Sequence, residues 1–381
     1  MSMTKRPAIW ATMIALILGL TTVAIAQDQQ KDQKDPKGRR NQQQQEQPQA
    51  QQPVVGPMAQ SKDELDAFLA VQNEQSPAKK IELAEGFISK YPNSDFIAYA
   101  QTLRVSAYGQ LNKPKEAVDA AQLAIDSTIK LGEKFVAKAD ADSKLTDKEK
   151  ENLRKKDKNV VFLDKSSPQF QAFMNQSEQR ILAFYQTIIL GYQQLNDAPK
   201  MMEWGDKALG FRPDDLNTLA MLSNVMAERP PSNEEEKTKQ MKRAEELASQ
   251  ALTLLPTFLA SPEAANVSAQ GKADLTSQLH YTLGLVYLQQ KPPKLSSSEQ
   301  ELLTALMSKP NDPVTYYRLG IAYVQDMKND QAMDALGKSV FLKGVSEAGA
   351  RDVLKQLYVQ KHKSEEGLEE YIKSAGSKIG Q

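Results

Sequence analysis

From Asp63 onward, apolar residues return at three- and four-residue steps, and short polar stretches containing Pro, Asn, Asp or Ser break the pattern. That period places one apolar stripe on each of a series of helices. Leu65, Phe68 and Leu69 begin the first stripe; Ile81, Leu83, Ala84, Phe87 and Ile88 make the second, after a break at Ser76–Pro77. Tyr91-Pro92-Asn93-Ser94 closes that helix and caps the next. Phe96 to Asp126 gives another pair, whose second helix runs on through Val118, Ala121, Ile125, Ile129 and Val136. In the charged stretch from Asp140 to Asn159, Thr146-x-x-Glu149 has capping-box spacing. Ser167–Pro168 then opens a helix of about 27 residues, with Phe170, Phe173, Ile181, Phe184, Ile188, Tyr192 and Leu195 on one face. The spacing predicts a protruding helical arm over about 129–179, and deleting 130–166 is expected to leave the fold intact. Further on, Leu219, Leu222 and Met226 pair with Ala244, Ala248 and Ala251, closed by Pro256, around an insertion at Glu228–Lys239 that holds Ser232-x-x-Glu235. Thr257 to Asp274 reads as a spacer.

The clearest pair is Pro313 to Gly344. Tyr316, Leu319–Gly320 and Tyr323 lie on one helix, Ala332, Leu336 and Ser339 on the next, with a polar turn at Asp326 to Asp330. The spacing resembles a tetratricopeptide repeat, a helix–turn–helix unit of about 34 residues. Leu283–Gly284 and Tyr287, followed by Leu302, Ala305 and Pro310, repeat it 36 residues earlier, with His280 in the leading aromatic place. Tyr185, Ile188–Ile189, Tyr192 and Ala208 fit it with Ile for Gly. The resemblance covers residues 61–346 and implies an all-α fold: an α-solenoid of tetratricopeptide-like hairpins with an extended helical arm and capping helices at 347–381. Hairpins of this kind complete their cores only by stacking, so Leu283 and Leu319 are expected in equivalent places of adjacent pairs.

The front of the chain differs. Lys5 and Arg6 precede an uncharged apolar run, and Ala24-Ile25-Ala26 has the small-x-small form of a cleavage site, so 1–26 read as a secretory signal. The run Ala8–Ala26 spans 19 residues, so a retained membrane anchor is the alternative. Residues 27–60 hold 13 Gln and four Pro with few large apolar side chains, the composition of a disordered tether. The whole chain has 48 basic and 48 acidic residues; removing Lys5 and Arg6 leaves −2, no footprint for nucleic acid. There is no cysteine, hence no disulfide, thiolate metal site or thiol nucleophile.

The inventory for chemistry is sparse. His280 takes a packing position, and His362 lies among Lys361, Lys363 and Ser364 in an expected turn, so no metal, cofactor or catalytic residue is assigned. Neither a phosphate loop nor a nucleophile elbow is present. The resemblance implies a non-enzymatic scaffold that binds a protein or peptide on the face of the first helices. By position in the motif, that face offers Tyr281, Tyr317, Leu285 and Ile321 as apolar contacts and Asn217, Asn224, Gln186 and Tyr99 as polar ones, with Tyr281 and Tyr317 as anchors. Tyr91-Pro92-Asn93-Ser94 resembles repeat ends of bacterial envelope proteins, and with the signal it suggests an exported protein, periplasmic or extracellular. The alternatives are an inner-membrane-anchored assembly factor, or an enzyme with its site at Glu228–Lys239.

Overall fold

A computed structural model describes residues 55–157 and 160–380. The expected signal and most of the tether lie outside these residues. All regular structure among the described residues is helical: fifteen α-helices and one 3-10 turn, in two compact units, 55–195 and 196–380.

The first unit holds α1 (Lys62–Asn73), α2 (Pro77–Lys90), α3 (Ile97–Gln110), α4 (Pro114–Ser143), α5 (Asp147–Lys156) and α6 (Pro168–Gln194). α1 packs on α2, α2 on α3, α3 on α4, and α4 along α6. Phe68 stacks on Phe96 at 4.4 Å at the centre of the first core, with Val71, Ala84 and Phe87 around it. The capping signals form as spaced. Ser167 accepts from the Phe170 amide at 3.2 Å with Pro168 at the first turn, and Thr146 and Glu149 cap reciprocally.

Two expectations change here. The segment at 55–60, assigned to the tether, is already seated: Val55 and Ala59 pack on two different clusters, and the Gln60 amide donates to Glu64 at 2.5 Å. The arm is no dispensable protrusion either. Leu131, Phe135, Ala139 and Leu163 close a core with Ala98, Phe170 and Phe173, the two rings of Phe135 and Phe173 stacked at 4.6 Å. Buried Asp142 fastens the returning loop, accepting from the Leu163 amide at 2.8 Å and from Lys138 at 2.9 Å. Deleting 130–166 would strip one wall from that core.

The second unit holds α7 (Ala198–Phe211), α8 (Leu216–Glu228), α9 (Glu234–Leu259), the 3-10 turn Glu263–Asn266, α10 (Ala269–Gln289), α11 (Leu295–Ser308), α12 (Pro313–Gln325), α13 (Asn329–Leu342), α14 (Glu347–His362) and α15 (Leu368–Gly376). α8/α9, α10/α11 and α12/α13 are antiparallel hairpins, and each packs on the next; α14 and α15 both lie against α13. Leu283 and Leu319 are buried in equivalent places. Beside them, a Cβ on Gly284 would lie 2.7 Å from Leu302, and one on Gly320 would lie 2.6 Å from Leu336. The missing Cβ at both crossings is what lets the paired helices approach this closely. This is a tetratricopeptide-like hairpin array.

Three boundaries depart from expectation. α9 passes through Pro256 to Leu259. The missing Pro256 N–H forfeits one backbone bond, to the Leu252 carbonyl, and the helix continues for less than one further turn, its Pro256 carbonyl accepting from the Ala260 amide at 3.1 Å. Its cap is Asn233, which accepts from the Glu236 amide at 3.0 Å, one residue after Ser232. α10 starts at Ala269, inside the expected spacer, because Ser268 accepts from the Gly271 amide at 3.0 Å. His362 ends α14, stacked on Tyr358 at 4.3 Å, rather than lying in a turn.

Candidate functional site

The first helices α8, α10 and α12 were expected to present an open binding face. Their own side chains close much of it. Tyr281, one proposed anchor, is only 3% exposed, and its hydroxyl donates to Glu228 Oε1 at 2.5 Å. The other carboxylate oxygen of Glu228 faces Arg318 at 3.5 Å, so three successive first helices are tied by a Glu–Tyr–Arg chain. Burial, then the Glu228 charge, pushes the Tyr281 hydroxyl well above its ordinary range. Burial works against the Arg318 charge, but Tyr281 and Glu228 outweigh it and raise the guanidinium pKa. Leu285 is 1% exposed and belongs to the core. Asn224 is spent on Thr282, at 3.2 Å. Asn217, Tyr317 and Ile321 are half-buried, with Arg318 over the Tyr317 ring at 5.6 Å. In the first unit, Gln186 is buried, and Tyr99 is half-buried with Arg180 over its ring at 4.4 Å. Tyr281 and Leu285 are thus unavailable as surface contacts, because their motif positions fall where adjacent first helices touch.

A different face of α12 opens to solvent. A groove of about 710 Å³ is bounded by α11, α12 and α13. Buried Leu306, Tyr316, Leu319 and Ala335 form its floor. Leu303, 45% exposed, and Met307, 82% exposed, stand on its α11 edge. The α13 edge carries Asp330, Asp334 and Lys338, the last two paired at 2.8 Å, and Lys338 lies over the Tyr316 ring at 5.6 Å. Burial and then Asp334 raise the Tyr316 hydroxyl, so the tyrosine stays protonated at neutral pH. Leu303 and Met307 form an i, i+4 apolar pair beside the core stripe of Leu302, Ala305 and Leu306. That second stripe is the sequence signal of this groove.

The sequence reading also missed a repeated clasp at the hairpin turns. The Lys113, Lys294 and Lys328 amides donate to the carbonyls of Tyr108, Tyr287 and Tyr323 at 3.0, 3.0 and 2.9 Å. An acid on the preceding second helix meets each clasp. Glu85 accepts from Tyr108 at 3.2 Å, Glu245 pairs with Lys294 at 2.8 Å, and Glu299 with Lys328 at 2.6 Å. His280 has a partner that its surroundings in sequence did not suggest, Glu301 at 2.6 Å.

Among the described residues, no group of three or more His, Asp or Glu side chains could hold a metal ion, and no helix is long and apolar enough to cross a membrane. No protein-family model and no curated protein matches the chain. Among similar solved structures is one titled "Crystal structure of APC/C hetero-tetramer Cut9-Hcn1", 14% identical, covering 84% of this chain and 87% of that one, with a TM-score of 0.28.

Proposed function

We propose that the chain is an exported, non-enzymatic scaffold whose protein partner docks in the groove between α11 and α13. The observation that carries this is the exposure of Leu303 and Met307 over an apolar floor. Water is displaced from such a surface at little polar cost, which favours a partner that inserts an apolar side chain. What supports the export and envelope part of this reading is the signal-like sequence of residues 1–26 and the Tyr91-Pro92-Asn93-Ser94 likeness.

The test compares two double variants in recovery of partners from envelope extracts: Leu303→Asp with Met307→Asp on the groove, and Tyr317→Ala with Ile321→Ala on the inner face. Partners lost only with the first pair support the groove. Loss only with the second returns docking to the inner face. Unchanged recovery with both rejects docking on this unit.

A further inference from the structure

We propose that Met307 is an oxidation site that closes the groove to an apolar partner: a peroxide converts its thioether to the sulfoxide, and a thiol-dependent sulfoxide reductase reopens it. This rests on the groove being the docking surface. The chain has no cysteine, so methionine supplies all of its sulfur, and an oxidant meets thioethers without competition from a thiol. The methionines differ widely in reach. Met201, Met226, Met241 and Met333 are at most 2% exposed, whereas Met307 is 82% and Met327 87% exposed. Met327 sits in the turn between α12 and α13, outside the groove lining; Met307 stands on the α11 edge, one turn beyond Leu303.

The sulfur lone pair attacks one peroxide oxygen, and the S–O bond forms as the O–O bond breaks. With hydrogen peroxide, the departing hydroxide takes the proton of the transferred hydroxyl and leaves as water. Sulfur loses two electrons and the peroxide gains them. The reductase returns both, as two thiols become a disulfide and the oxygen leaves as water. The new oxygen is a strong acceptor placed where the groove offers it nothing. Leu303, Leu306, Met307 and Pro310 line the α11 side, and none of them carries a side-chain donor. On the opposite edge, Lys338 is already paired with Asp334. A partner's apolar side chain laid over Met307 would bury the sulfoxide oxygen without a hydrogen bond. Water satisfies that oxygen only while the groove stays empty.

Bis-ANS, an apolar fluorescent dye, serves as the probe in the unaltered chain, Met307→Leu, Met327→Leu and Met307→Asp, each before and after hydrogen peroxide. Peptide mass spectrometry is expected to find Met307 and Met327 converted at similar rates, at least ~10-fold faster than Met226, Met241 and Met333. Dye binding is read while those buried methionines are still intact. Oxidation should weaken it about fourfold in the unaltered chain and in Met327→Leu, the share of one methylene-sized contact. Met307→Leu should keep its affinity, because leucine fills the place without sulfur, and sulfoxide reductase with a dithiol should restore the unaltered chain. Met307 left intact while Met327 is converted overturns the proposal. So does an equal loss in Met307→Leu, or a loss that Met327→Leu prevents. If unoxidised Met307→Asp weakens the dye while oxidation does not, the switch fails and the groove stands. If the dye ignores Met307→Asp as well, the groove fails with it.

Discussion

Gly284 and Gly320 set how closely each hairpin closes, and they are not equally strict. A Cβ at Gly284 would meet Leu302 side-chain atoms at 2.7 and 3.0 Å and the Leu302 backbone nitrogen at 3.2 Å. At Gly320 the two short contacts, 2.6 and 2.8 Å, are both to the Leu336 side chain, and the nearest backbone atom, the Ala332 carbonyl oxygen, stands at an ordinary 3.5 Å. Alanine gains about 1 kcal/mol of helix propensity over glycine, while overpacking costs about 1–3 kcal/mol. Gly284→Ala is therefore expected to lower the melting temperature clearly, and Gly320→Ala much less; equal shifts would contradict the geometry. At the Glu–Tyr–Arg chain, Tyr281→Phe should cost about 1 kcal/mol, the worth of one hydrogen bond. Glu228→Ala should cost more, since it leaves Arg318 without its carboxylate, and denaturant melts of the two variants check that order. Glu245 supplies a pH test. Burial alone would raise its pKa, but hydrogen bonds from Lys294 and Gln290 and the Lys294 charge bring it below the ordinary value. A depressed carboxylate adds stability above the unfolded glutamate pKa of about 4.3, and that contribution fades as pH falls through the lower folded value. The melting temperature of Glu245→Gln should therefore approach that of the unaltered chain as pH drops below about 4. A gap that stays constant from pH 7 to 3 would exclude this role.

At the level of helices, the extended pair α4 and α6 carries the sharpest test. Phe135 and Phe173 stack inside a core that 130–166 helps to build. Phe135→Ala should cost about 3–5 kcal/mol, and deleting 130–166 should abolish cooperative melting of the first unit; a deletion that melts like the parent would return the arm to a mere appendage. Local signals were legible along the chain because they are decided within one turn. The Ser167–Pro168 start, the Thr146–Glu149 box and the Leu-Gly pairs needed only their neighbours. What escaped depends on distant partners. Leu131 and Phe135 face Phe170 and Phe173 only after the chain has turned back through α5, and Glu245 meets Lys294 only across a hairpin joint. The start of α10 escaped for a smaller reason: Ser268 is a cap hidden among other small polar residues.

For the molecule as a whole, stability rests on stacking between neighbours, without disulfides. Disturbance should stay local in such an array. Hydrogen exchange of Gly284→Ala is expected to quicken in α8 to α13 and to stay unchanged in α1 and α2. The functional surface was the least legible part. Motif position alone sent Tyr281 and Leu285 to an exposed face, whereas adjacent first helices touch there. The groove needs three helices in place before Leu303 and Met307 can be seen as its edge. The hairpin clasps carry one last implication. Their acids each follow a small residue: Ala84–Glu85, Ala244–Glu245 and Ser298–Glu299. After Ala332, the matching place holds Met333, buried with Ala350, Leu354 and Tyr358. Polymer growth by copying α12–α13 onto itself would find a thioether where the incoming lysine seeks a carboxylate. A further hairpin stacked on α13 in the manner of the earlier clasps would therefore call for Met333→Glu together with removal of α14, which now covers that side chain.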